Sequence, residues 1–202
     1  MTQGVGRLLL RSGLTAAGVG ALAIPPLAVG LSGTASADGL WTALRMGALW
    51  ALTLLFVNIV TGAFRPWFGT VFRPRAVHRF HKAVGIAGFA LALAHEVMAA
   101  VFGIVGYDTI PVWLGPVALV LLALAIAAAL LRTRLRRYWR WIHRLNYLIF
   151  FVVLAHGLVL GADLRDEPLL QICFGIYAAV VLAGLSSRTR RRPPRPTRPR
   201  PS

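Results

Sequence analysis

Cysteine is almost missing from this chain. Cys173 stands alone among 202 residues, so no intrachain disulfide forms, and neither a C-x-x-C-H haem attachment nor a four-cysteine iron–sulfur site is available. Acidic residues are nearly as scarce: 6 Asp+Glu face 22 Lys+Arg, for a formal net charge of +16. Charged residues of both signs make up only 14% of the chain, against about 25% in an ordinary soluble domain. No G-x-G-x-x-G and no Walker A loop occurs, so no phosphate-cradling loop for a dinucleotide or nucleoside triphosphate is encoded. A soluble protein this basic would point to nucleic acid. Here uncharged stretches separate the basic clusters, a pattern that fits a lipid bilayer with a basic cytoplasmic side and no nucleic-acid partner.

Apolar sequence fills the chain instead: 57% of residues are hydrophobic and the mean hydropathy is +0.70. About 20 apolar residues cross the hydrocarbon core of a bilayer. Six such runs can be read, at 14–31, 46–64, 83–106, 112–131, 142–160 and 168–185. The predicted fold class is therefore all-α, an integral membrane bundle of about six transmembrane helices. Its organisation reads as an N-terminal segment 1–39, a membrane domain 40–186 and an Arg/Pro-rich tail 187–202. Two readings of the N-terminal segment stand side by side. Arg7 and Arg11 precede an apolar run that ends in Ala35-Ser36-Ala37, which describes both a retained helix and a secretory signal with an A-x-A cleavage site.

Loop charges alternate in step with the runs. Arg65, Arg73, Arg75, Arg79 and Lys82 follow the second run, and Arg132, Arg134, Arg136, Arg137, Arg140 and Arg144 follow the fourth. The other connections carry Asp38, Asp108, Asp163, Asp166 and Glu167, with Arg165 as the basic exception. The positive-inside rule then places both termini and both basic loops in the cytoplasm of a multi-pass plasma-membrane protein. The tail alternates arginine with proline and is expected to be disordered, as a tether to anionic lipid or a dock for an acidic partner.

Histidine is where chemistry enters. Of the five histidines, His81 and His95 belong to the third run and its approach, and His143 and His156 to the fifth. Ionisable groups inside a membrane are costly and mark function by default. The third and fifth runs cross in the same direction. His81 and His95 are about 21 Å apart along a helix and His143 and His156 about 20 Å, so His81 pairs in depth with His143, and His95 with His156. Facing imidazoles can fill both axial positions of a haem iron, which favours electron transfer over ligand chemistry. Zinc fits less well, since it asks for four ligands at one level. Helix phase puts His81 and His95 within about 40° of one face but leaves His143 and His156 about 140° apart, which predicts a bent, overwound or distorted fifth helix.

At these residues the sequence resembles a known family. The H-x13-H and H-x12-H spacings, set in RFHKAVGIAGFALALAHEVMAAVFG and RRYWRWIHRLNYLIFFVVLAHGLVLGADL with the pattern W-x-x-x-H-R-L-x-Y, are similar to the ferric reductase-like transmembrane domain. That superfamily includes ferric reductases, NADPH oxidases and the haem subunit of the methionine-sulfoxide reductase system. The resemblance covers about 40–185. It implies two b-type haems, stacked between the third and fifth helices and ligated by His81, His95, His143 and His156. It also implies an oxidoreductase subunit that passes electrons from a cytosolic flavin reductase to an extracytoplasmic acceptor, whether ferric iron, oxygen or a redox protein. The larger relatives continue into FAD- and NADPH-binding domains, whereas this chain runs into its Pro/Arg tail and looks like the stand-alone bacterial form, with any flavin on a partner protein.

Other residues take secondary expectations. His78 is an alternative to His81 as ligand. Arg79, Lys82, Arg140 and Arg144 lie level with the inner site and Arg45 near the outer one, as partners for haem propionates or as plain topogenic charge. Glu96 reads as a proton carrier or as a neutral buried carboxyl. Asn58, Asn146 and Gln171 are expected to hydrogen-bond between helices, Cys173 to pack, and Trp139, Trp141 and Tyr147 to form an interfacial belt, the two tryptophans alternatively shielding the inner haem. Two rival functions fit the same residues: a quinone-linked cytochrome of the b561 sort, and a haem-free membrane anchor or small transporter.

Overall fold

The computed structural model describes residues 2–31, 39–103 and 108–189. The Ala35–Ala37 motif and the tail from 190 onward lie outside the described residues. Within them the chain forms helices and no strand: α1 Thr2–Leu31, α2 Gly39–Ala63, α3 Arg65–Val71, α4 Pro74–Val101, α5 Ile110–Leu130, α6 Arg132–Leu135, α7 Tyr138–Leu160, α8 Ala162–Asp166 and α9 Pro168–Thr189. Six of them, α1, α2, α4, α5, α7 and α9, are long and apolar enough to cross a membrane, and each contains or overlaps one of the six apolar runs. Helix α4 starts well before its apolar run. Residues 74–82 are basic yet remain helical, because hydropathy registers only the part of a helix suited to hydrocarbon.

Prolines punctuate the bundle. Pro66, Pro74 and Pro111 occupy first turns and Pro168 opens α9, where the absent N–H is not needed and the fixed φ suits a helix. Pro25 and Pro26 lie inside α1. Pro26 cannot donate to the carbonyl of Leu22 one turn earlier. The indole N–H of Trp50 on α2 donates to that oxygen instead, at 2.9 Å. The proline that would weaken α1 thus supplies an acceptor that ties α1 to α2.

Helix α2 lies at the centre of the bundle, closely packed on α4 and touching α1, α3, α7 and α9; α5 packs chiefly on α7. Small residues allow the α2–α4 approach. A Cβ at Gly88 would stand 3.2 Å from Leu54 Cβ, and one at Gly85 would stand 2.8 Å from the Asn58 amide nitrogen. Ile149, Phe150, Leu170, Phe174 and Val181 are fully buried between α7, α9 and α2, with Phe56 and Tyr177 stacked at 3.8 Å beside them. Exposed Val101, Ile110, Trp113 and Ile172 cover the outside, as helices bordered by lipid require. Pro25, Ala28 and Val29 of α1 are buried, so α1 contributes to the core. Helices α4 and α7 do not pack closely on each other, which leaves space between the two helices that carry the paired histidines.

The Trp50 link is testable by a double substitution. Trp50→Phe strands the Leu22 carbonyl and is expected to cost about 1–3 kcal/mol, read as a lower thermal midpoint in detergent. Adding Pro26→Ala restores an N–H for Leu22 and should recover most of that loss; absence of recovery contradicts the assignment.

Candidate functional site

Two cavities lie in the space bounded by α2, α4, α5 and α7. The first has a volume of about 590 Å³ and is lined by His81 and His143, with Asn58, Gly62, Asn146 and Tyr147 around them. The second, of about 360 Å³, is lined by His95 and His156 together with Glu96 and Gly115. The depth pairing expected from the spacing is the pairing observed. Leu55, Gly88 and Leu122 border both cavities and form an apolar wall between them.

In the first cavity the rings of His81 and His143 stand 6.1 Å apart, centre to centre, with their planes at 77°. His81 Nδ1 lies 3.0 Å from the carbonyl of Asn58 and 3.2 Å from the Thr61 hydroxyl. A carbonyl only accepts, so Nδ1 carries the proton and donates, and Nε2 keeps its lone pair. The Asn58 side chain returns a bond to the backbone carbonyl of His81, at 2.7 Å, which locks α2 to α4 at this level. Trp139 lies 6.0 Å from the His143 ring and faces inward. Trp141 is exposed, under the guanidinium of Arg144 at 4.9 Å.

The second pair is oriented in the same way. His95 Nδ1 donates to the carbonyl of Leu44 at 3.2 Å, and His156 Nδ1 to the carbonyl of Pro111 at 2.9 Å. Three histidines on two helices are therefore each anchored to the backbone of a neighbouring helix. Helix α7 runs unbroken through both of its histidines. His143 turns toward His81 of α4, while His156 bonds the first turn of α5. His78 is exposed at the rim of the first cavity, and His81 is the residue held opposite His143.

Charge divides between the two sites. Arg65, Lys82, Arg132, Arg140 and Arg144 line the first cavity, while Arg79 is exposed and outside its lining. Glu96, Asp163, Asp166 and Glu167 line the second, with Arg45. Arg45 makes a two-pronged ion pair with Asp163 of α8, Nε to Oδ2 at 2.7 Å and the other prong between Nη2 and Oδ1. The Asp163 carboxylate, read from the sequence only as loop charge, is thus the buried partner of a cation 118 positions away. Beyond the spans, Arg165 donates to Asp166 at 2.9 and 3.1 Å and holds that carboxyl below its ordinary pKa.

The secondary expectations divide. Asn58 bridges helices as foreseen. Gln171 bonds the carbonyl of Arg165 in α8, and Cys173 is buried in the α9 core. Asn146 is buried, but its Oδ1 has no hydrogen-bond partner among the described residues, because it lines the first cavity and not a helix–helix seam. Among the described residues no three His, Cys, Asp or Glu side chains gather around one point. Gly62 and Gly115, which adjoin histidine rings, were not singled out by sequence reasoning. Other helical glycines such as Gly47 and Gly175 share their setting with no neighbour against them, so nothing in the sequence marks these two. No family model, no curated protein and no solved structure matches the chain.

The Arg45–Asp163 pair is 13% and 8% exposed in its side chains, so removing one partner leaves a largely desolvated charge. Arg45→Leu or Asp163→Leu is expected to cost about 3 kcal/mol, measured as thermal stability in detergent. The double substitution should be more stable than either single one; additive losses would show that the two side chains act independently.

Proposed function

We propose that this chain is a transmembrane b-type cytochrome that conducts electrons between the two faces of a membrane. In this reading His81 and His143 hold one haem and His95 and His156 a second. The observation that carries it is the first pair. Two imidazoles on opposite sides of one iron have ring centres about 6 Å apart when each metal–nitrogen bond is about 2 Å, and His81 and His143 stand at 6.1 Å on the wall of one cavity. Haem needs only two ligands from the protein, which suits paired histidines better than any site that gathers three or four side chains.

The second-sphere bonds support the same reading. A ligating histidine commonly gives its other N–H to a backbone carbonyl, which fixes the tautomer and makes the ligating nitrogen more basic. His81, His95 and His156 all donate from Nδ1 in this manner, leaving Nε2 for the metal. Lys82, Arg65, Arg140 and Arg144 line the first cavity and would pair with the propionates of a bound haem. The orphaned Asn146 oxygen is a further polar contact on the same wall. Haem held by these histidines would supply reversible one-electron exchange.

The remaining residues hold the two sites apart and give the path a direction. Leu55, Gly88 and Leu122 keep the space between the sites apolar. The basic end, with the loops after α2 and α5, belongs on the cytoplasmic side by the positive-inside rule. It presents a cationic surface to a flavin-bearing donor protein, and the acidic end with Asp163, Asp166 and Glu167 faces the acceptor. This arrangement supports membership in the ferric reductase-like group and a role as the electron-transfer subunit of an oxidoreductase in the plasma membrane.

An absorption spectrum of the purified protein tests the proposal. Expected is a reduced b-type spectrum with two haems per chain. His81→Ala or His143→Ala should remove one haem, His95→Ala or His156→Ala the other, and His78→Ala neither. A folded, colourless protein expressed with ample haem rejects the proposal and leaves the anchor or transporter reading. Haem that is reduced by quinol and not by flavin reductases moves the function to the quinone-linked class.

A further inference from the structure

A carbonyl inside an α-helix already accepts from the N–H four residues later, and the side chain at that later position leans back over it. A donor from a neighbouring helix reaches such a carbonyl most easily where the later residue is small. His81 reaches the carbonyl of Asn58, and the residue four positions on is Gly62. His156 reaches the carbonyl of Pro111, and four positions on is Gly115. His95 reaches the carbonyl of Leu44, and four positions on is Ala48. The rings fill the space the missing side chains leave. A Cβ at Gly62 would stand 3.2 Å from His81 Cε1 and 3.6 Å from its Nδ1; one at Gly115 would stand 3.1 Å from His156 Cε1, 3.4 Å from its Nε2 and 3.1 Å from the Glu96 carboxyl oxygen Oε2.

Two other close glycines serve a different purpose. Gly88 and Gly184 are equally crowded, but the atoms they face are Leu54 Cβ at 3.2 Å and Ala63 Cβ at 3.1 Å. Those are packing contacts between helices, and no histidine ring takes part in them.

We propose that Gly62 and Gly115 are positioning residues for the redox sites: each uncovers the one helix carbonyl that sets the tautomer and the angle of a ligand imidazole. Gly62 serves His81 and Gly115 serves His156, with Ala48 leaving the same opening for His95. The proposal rests on the haem reading above. A histidine that donates strongly from Nδ1 is a more electron-rich ligand and favours ferric over ferrous iron. A methyl group added at either glycine makes the ring give by a few tenths of an ångström, which weakens that donation and shifts the balance toward ferrous iron.

The test is a redox titration of purified, haem-loaded Gly62→Ala, Gly115→Ala and Gly184→Ala, followed by absorption and electron paramagnetic resonance. The two potentials are assigned beforehand with the histidine variants. Gly62→Ala should raise the midpoint potential of the His81 haem alone and alter its resonance signal, and Gly115→Ala should do so for the His156 haem alone. Gly184→Ala should lower thermal stability with both potentials unchanged. If a glycine variant does not retain full haem, loss confined to the haem it serves carries the same meaning. Unchanged potentials in variants that hold both haems overturn the proposal, as do equal shifts in all three. A wild-type protein without haem overturns the parent reading instead.

Discussion

A neutral imidazole has one nitrogen that donates and one that accepts, and inside an apolar bundle each unsatisfied polar group costs several kcal/mol by order of magnitude. The helices of this protein are arranged around that demand. His81, His95 and His156 satisfy the donor side with main-chain carbonyls of adjacent helices. These carbonyls belong to rigid helical backbone, so the rings are aimed by the scaffold and not by mobile side chains. The acceptor nitrogens are left over, and two cavities between α4 and α7 are where they can be used.

The surrounding bundle follows from the same economy. Helix α2 carries two of the three accepting carbonyls, and it is the helix on which α1, α4 and α9 converge. Its small and polar residues hold α4 close, through Gly85, Gly88 and the Asn58 bridge. Helix α7 is held by α5 and by the Ile149–Phe150 core. Helices α4 and α7 do not pack closely on each other, and α2 and α5, which border the gap between them, hold it open. Charge is excluded from the wall between the cavities and collected at the two ends, cationic at one and mostly anionic at the other, where Arg45 and Asp163 neutralise each other.

The parts of this arrangement that were readable from the sequence are those that depend on counting along one helix. The six spans follow from the length of apolar runs, and the pairing of His81 with His143 follows from a fixed rise per residue. What depends on rotation and on distant partners was not readable. The phase offset between His143 and His156 is visible in the sequence, but not that the two rings address different neighbours, His81 on α4 and the first turn of α5. Asp163 reads as loop charge until the fold brings it to Arg45. Asn146 has the composition of a helix–helix bridge but lines a cavity. Gly62 and Gly115 look like ordinary small residues of a membrane helix until the histidine rings are found against them. The N-terminal segment reads equally as signal or helix, and only the burial of Pro25, Ala28 and Val29 and the Trp50 bond give α1 a place in the bundle.

The central claim is that His81 and His143 grip one iron from opposite sides. Their ring planes are nearly perpendicular, at 77°. Low-temperature electron paramagnetic resonance of the oxidised protein addresses this most directly. The account expects a low-spin ferric signal of the strongly anisotropic kind that crossed axial imidazoles produce, abolished by His143→Ala while the signal of the second haem persists. A high-spin ferric signal, or a low-spin signal indifferent to His143→Ala, contradicts it.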